Sequence, residues 1–286
     1  MEHDIVSEQG TVQPVQLEAS SPFDLRVNLG NDMPETDVRS ALANGDMGFL
    51  HSFTTGSAVD GPGVRVVAWT TGCIWRCLYC HNPDTWTLRN GIPVAVNRAI
   101  EELRKYRQGL KVMAGGVTYS GGEPLMQDRF IVKLLAASKA MNVHTTVETN
   151  GFLGERLSDA ELETIDLVML GIKAWGNERH RHLTGRDIDP TLAFARRLSE
   201  QRRPMWVRFV LVPGLTDDPD DMANIARFAA SLGNVERVDV LPFHQMGRYK
   251  WERLNLRYTL NDVREPTPEE TTRAVAIFRS EGLDAY

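Results

Sequence analysis

The sequence predicts an α/β fold in which parallel strands alternate with helices and wrap into an incompletely closed barrel. Two observations carry this. Six short apolar runs rich in β-branched residues recur along the chain, and amphipathic helical patterns lie between them. Strand alternating with helix requires crossover connections, hence a parallel sheet with helices outside it. Six such units are too few for the usual eight-stranded barrel, which leaves a partial (β/α)6 barrel.

Taken in order, residues 1–46 are rich in Glu, Asp, Gln, Ser and Pro and hold one aromatic, Phe23. So little apolar surface cannot offset the entropy of ordering, and a flexible N-terminal extension is expected there. A single core domain is expected over residues 47–286. Its strands are read at 64–70, 116–120, 143–148, 167–173, 205–212 and 235–242. Ala99, Leu103 and Tyr106 share one helical face, as do Phe130, Leu134 and Ala137. Further helices are expected over 191–203 and 219–232. A last one starts at Thr267, where Pro268 suits the first turn and Glu270 completes a capping box.

A hydrophobic fraction of 42% over 286 residues suffices for a sizeable core. The net charge of -6 argues against a nucleic-acid partner, which would call for a basic patch or stripe. No stretch approaches the roughly 18 apolar residues of a membrane span. The acidic start, Met1 to Glu8, has neither the apolar run of a secretory signal nor the arginines of a transit peptide. All three cysteines sit in one short loop and leave none for a distant disulfide, so a reducing, cytoplasmic setting is expected.

That loop, residues 71–83, carries Cys73, Cys77 and Cys80 and concentrates chemistry as no other stretch does. Four thiolates make a complete protein set for a four-iron cluster. Three leave one iron with a free position, which is the mark of a reactive centre rather than a structural one. A structural zinc held by Cys73, Cys77, Cys80 and His81 is the blander reading. Zinc ligands usually come in two separated pairs, and four donors in one short loop, two of them adjacent, fit a tetrahedron poorly.

The spacing C-x3-C-x2-C, with the aromatic Tyr79 before the last cysteine, resembles the signature of the radical S-adenosylmethionine (SAM) enzymes. The longer run from Cys73 to Trp86 is similar to one branch, the activating enzymes of pyruvate formate-lyase. The resemblance extends from about Gly48 to the C-terminus, including the Asp60-Gly61-Pro62-Gly63 turn and Lys250-Trp251. It implies a partial barrel of the radical SAM type, a 4Fe-4S cluster on the three cysteines and S-adenosyl-L-methionine on the vacant iron. It further implies reductive cleavage to a 5'-deoxyadenosyl radical, and hydrogen abstraction from a glycine Cα of pyruvate formate-lyase. The electron would come from a flavodoxin-like or ferredoxin-like donor, and the enzyme would act as a monomer.

In parallel α/β folds ligands bind where strands end. The cysteine loop follows the first strand. The second ends in Gly121-Gly122-Glu123, which in the family binds the cofactor's amino group; as a bare pattern it reads equally well as a turn. The third ends in Glu148-Thr149 and the fourth in Gly171-Ile172-Lys173. Arg208 breaks an apolar run in the fifth strand and needs a partner, either a ligand carboxylate or a buried acid. His244, by itself read as a satisfied structural histidine, is placed by the resemblance beside the adenosine, and Lys173 and Arg208 at the same cofactor. Tyr79, His81, Gly121, Gly122, Glu123, Thr149, Gly171, Ile172, Lys173, Arg208 and His244 are thus the expected cofactor contacts.

In one respect the chain departs from the family. Relatives commonly carry Asp at the positions of Gly171 and Glu148, where the carboxylates help form a monovalent cation site, so that site is in doubt here. Two other readings remain, a radical SAM enzyme for a different glycyl radical protein and one for a small molecule. The absence of cysteines beyond Cys80 favours pyruvate formate-lyase over the partners of activases with additional clusters.

Overall fold

A computed structural model describes residues 35–286. One open sheet of eight strands organises it, in the order β3-β1-β2-β4-β5-β6-β7-β8. The strands are β1 (Met47–Ser57), β2 (Arg65–Thr70), β3 (Ile92–Ala95), β4 (Gly116–Gly121), β5 (His144–Thr149), β6 (Leu167–Gly171), β7 (Met205–Leu211) and β8 (Val235–Pro242). From β2 through β8 every neighbouring pair is parallel, which makes six parallel strands. These are the six runs read from the sequence, with ends moved by at most two residues.

The other two strands were not expected. β1 pairs antiparallel with β2 and with β3. Its first residues are buried, while Thr54, Thr55 and Gly56 are exposed, so it lacks the continuous apolar run that betrays a buried strand. β3 is four residues long and includes Pro93, tolerable because an edge strand has one unpaired side.

Helices α1 (Glu35–Asn44), α2 (Val96–Val112), α3 (Asp128–Ala140), α4 (Asp159–Leu162), α5 (Asn177–Thr184), α6 (Asp189–Glu200), α7 (Pro219–Leu232), α8 (Arg248–Arg253) and α9 (Pro268–Ser280) fill the connections. The expected flexible extension divides here. Residues 1–34 lie outside the described residues, whereas α1 occupies 35–44 and buries Ala41. The turn after it is tied to α3 by an ion pair between Asp46 and Lys133 at 2.5 Å.

Local chemistry sets the helix ends. α7 starts where the Asp218 carboxylate accepts from the backbone N–H groups of Asp220 and Asp221, with Pro219 behind it. α9 has the expected capping box, in which Thr267 and Glu270 each accept a backbone N–H from the other. α6 begins two residues earlier than expected because Pro190 takes its first turn.

Ala68, Val168, Leu170, Val207 and Phe209 from the strands pack against Ile131, Leu135, Ala195, Leu198, Ile225 and Phe278 from the helices, all essentially without solvent contact. Each such aliphatic or aromatic side chain contributes about 1.5–3 kcal/mol. This core fixes the carboxyl ends of β2 and β4–β8 as one rigid rim. No described helix is long and apolar enough to cross a membrane.

Candidate active site

A cavity of about 620 Å³ opens at that rim, lined by Cys73, Cys77 and Cys80 together with residues from the ends of β4, β5, β6, β7 and β8. The loop after β2 is clamped from three directions. Gly72 N–H donates to the Thr85 carbonyl at 2.7 Å and Cys73 N–H to that of Trp86 at 3.0 Å. Arg76 and Leu78 donate backbone N–H groups to Thr184 and Leu183 at the end of α5, at 2.8 and 3.0 Å. The Trp251 indole of α8 donates to the Cys80 carbonyl at 2.9 Å. The three thiols therefore stand on a braced loop, not a loose one.

Burial pushes the Cys73 and Cys77 thiols well up, and that of Cys80 to about 12. Proximity of the sulfurs adds to this at Cys73 and Cys80, because a second thiolate beside the first repels it. Such a set stays protonated until a strongly cationic group draws the protons off. Among the described residues no three His, Cys, Asp or Glu donors converge on a single-ion position. The three thiols nevertheless line one cavity of about 620 Å³. Three thiols around a larger space fit a multi-iron cluster.

The second strand's end comes extremely close to this loop. Gly121 has φ +116, and a Cβ there would lie 2.3 Å from the Thr70 backbone nitrogen; at Gly122 one would lie 2.5 Å from the Gly72 carbonyl oxygen. No side chain fits at either position, so bare backbone faces the cavity. Thr149, Gly171, Lys173, Arg208 and His244 follow around the rim. Tyr79 and His81 come from the cysteine loop, with the His81 ring edge-on to His244 at 4.9 Å and the buried Tyr79 hydroxyl without a hydrogen-bond partner among the described residues.

Two expected contacts are buried beside the cavity and do not line it. Glu123 is fully buried and does not line the cavity. Its carboxylate accepts from Leu125 N–H at 3.0 Å, Thr149 hydroxyl at 2.7 Å and Asn150 N–H at 2.8 Å. It therefore joins the end of β4 to the end of β5. Ile172 is likewise fully buried in the apolar core, its backbone N–H bonded to the Arg208 carbonyl at 3.1 Å. An apolar side chain followed by a lysine at a strand end splits naturally, one inward to the core and the other to the rim.

Arg208 finds the buried acids that its position demanded. Its guanidinium meets Glu148 at 2.7 Å, Asp239 at 3.4 Å and Asp60 at 3.9 Å, and donates to the Val59 carbonyl. Burial pushes the Glu148 carboxyl up, but the Arg208 charge and a 2.5 Å hydrogen bond from Ser120 hold it below its usual range. Asp239 was missed from the sequence, because β8 also carries Glu236 and Arg237 and no single charge stands out in it as Arg208 does in β7. Asn150, whose amide points to Cys73 sulfur at 4.0 Å, was also missed.

Fold and site together define an α/β enzyme that builds a redox-cofactor centre at the mouth of a partial barrel. Residues 67–229 match the model of the radical SAM superfamily. The pyruvate formate-lyase-activating enzyme of Staphylococcus aureus (strain USA300) is 41% identical over 242 residues, covering 82% of this chain and 96% of the relative. The chain belongs to the radical SAM superfamily and, within it, to the family of pyruvate formate-lyase-activating enzymes. Solved structures show the same fold. A radical SAM methyltransferase from Sphaerobacter thermophilus has a TM-score of 0.56 at 16% identity, covering 90% of this chain and 82% of that one. Streptococcus suis SuiB has a TM-score of 0.58 at 14% identity over 77% of this chain and 48% of its own.

Proposed function

We propose that this protein activates pyruvate formate-lyase by placing a radical on one of its glycines. The observation that carries the reading is that three thiols on a clamped loop face the same cavity as the charged and bare-backbone ends of five parallel strands. Cys73, Cys77 and Cys80 hold a 4Fe-4S cluster. When bound, the cluster supplies one electron and a free coordination position for S-adenosyl-L-methionine, whose reductive cleavage yields the radical that takes hydrogen from the partner's glycine Cα.

The protein's own share is binding, orientation and exclusion of water. The backbone of Gly121 and Gly122 admits the cofactor's amino-acid end, next to the Thr149 hydroxyl and the backbone at Gly171. Lys173 supplies positive charge for its carboxylate, and Arg208, held by its acids, orders the wall beside it. Tyr79, His81 and His244 flank the adenosine. Trp69, Trp75, Val210 and Phe243 form apolar cavity wall that limits side reactions. The turn at Asp60, held under Arg208, forms an edge against which the partner's loop docks. The enzyme works as a cytoplasmic monomer, reduced by a flavodoxin-like or ferredoxin-like protein.

Anaerobic reconstitution with iron and sulfide, followed by reduction in the presence of S-adenosyl-L-methionine, tests this directly. Formation of 5'-deoxyadenosine and a glycyl radical signal on added pyruvate formate-lyase are expected. Iron-loaded protein that leaves the nucleotide intact, or that generates the radical only on a different glycyl radical protein, would overturn it.

A further inference from the structure

The monovalent cation site implied by the family does not fit these residues. Gly171 offers no carboxylate, and a Cβ built there would lie 2.9 Å from Lys173 Nζ and 3.1 Å from its Cε. The lysine's end thus fills the space that a side chain at 171 would take. The other expected ligand, Glu148, has both oxygens engaged, one by Arg208 at 2.7 Å and one by the Ser120 hydroxyl at 2.5 Å. Arg208 in turn is met by Asp239 and Asp60 as well. Lys173 has no carboxylate within ion-pair distance among the described residues, although it lines the cavity.

We propose that this protein binds its cofactor without a mobile monovalent cation, because the Lys173 ammonium stands in the place of that ion. The inference rests on the reading of the cavity as the S-adenosyl-L-methionine site. A carboxylate leaving water for this cavity needs a positive charge beside it. Arg208 is met by three acids within 4 Å, whereas Lys173 feels Glu148 only from farther off, so the charge free to pair with a ligand carboxylate is that of Lys173. A potassium or sodium ion entering next to it would meet a like charge and find Glu148 taken. In this chain the glycine at 171 and the reach of Lys173 act together, since a carboxylate at 171 would both displace the ammonium and bind it.

The test uses reconstituted holoenzyme titrated with S-adenosyl-L-methionine, read from the change in the paramagnetic resonance of the reduced cluster. Titrations run in potassium, sodium and choline chloride at equal ionic strength. Dissociation constants equal within about twofold are expected, a spread far below the roughly tenfold that one well-placed charge confers. Tighter binding in potassium or sodium by more than that margin overturns the inference and leaves the proposed function intact. Failure to bind in every salt overturns the underlying reading as well.

A second arm uses Lys173→Met, with iron content confirming an intact cluster. Binding should weaken about tenfold in choline, the scale of one lost charge, and recover partly in potassium, which can then enter. Affinity equal to wild type in choline would show that Lys173 does not supply the charge. If the variant does not load iron, the wild-type salt comparison decides alone.

Discussion

Arg208 Nη1 stands 2.7 Å from Glu148 Oε1, and this pair, on strands separated by β6, forms part of the cavity wall. Its geometry depends on the register between strands: Gly171 is paired with Arg208 across β6 and β7, and the guanidinium reaches past β6 to Glu148 on β5.

Glu148→Gln should therefore lower stability at neutral pH by about 1–3 kcal/mol, since Arg208 keeps Asp239 and Asp60 but loses its nearest charge. The carboxyl is held below its usual range in the folded state. Its contribution is then fully present above the unfolded value near 4.3, and is lost as pH falls through the lower folded value. Denaturant unfolding of both proteins should show a gap at pH 7 that closes below about pH 4. A gap that stays constant with pH would contradict the pairing.

Replacing Cys73, Cys77 or Cys80 by alanine should abolish cluster loading without unfolding the chain, because the loop's clamps are backbone bonds to Thr85, Trp86, Thr184 and Leu183. In the wild type the thiols are held protonated, that of Cys80 up to about 12. Protons compete with iron for them, so reconstitution at limiting iron should rise from pH 6.5 to 8.5. Iron content per chain and circular dichroism check both statements.

Glu123→Ala leaves two buried N–H groups and the Thr149 hydroxyl without their acceptor. A stability loss of about 2–4 kcal/mol is expected, measured by thermal or denaturant unfolding. Glu123→Gln, which keeps an acceptor oxygen, should recover part of it. Were Glu123 a direct cofactor ligand instead, Gln would cost affinity with little change in stability.

Arg65 has no solvent contact and holds the entry turn from beneath, donating to Pro62 carbonyl at 3.2 Å, Val117 carbonyl at 2.6 Å and the Thr146 hydroxyl at 2.8 Å. Burial lowers its guanidinium to about 10. Arg65→Lys retains the charge but cannot span these acceptors, and should destabilise by about 1–3 kcal/mol. Equal unfolding midpoints for the two proteins would refute this role.

By itself the sequence determined the six parallel strands, the helices α2, α3, α6 and α7 between them, the clustered thiols and the need of Arg208 for a buried partner. Each of these is written in short-range periodicity or in a polar residue breaking an apolar run. Tertiary structure alone decided that β1 and β3 extend the sheet, since the second half of β1 is exposed and β3, at the edge, is only four residues long. It also decided that Glu123 braces two strand ends and that Lys173 covers Gly171. The direction in which a strand-end side chain turns is set by inter-strand register and by the groups already filling the space around it, and no linear pattern records either.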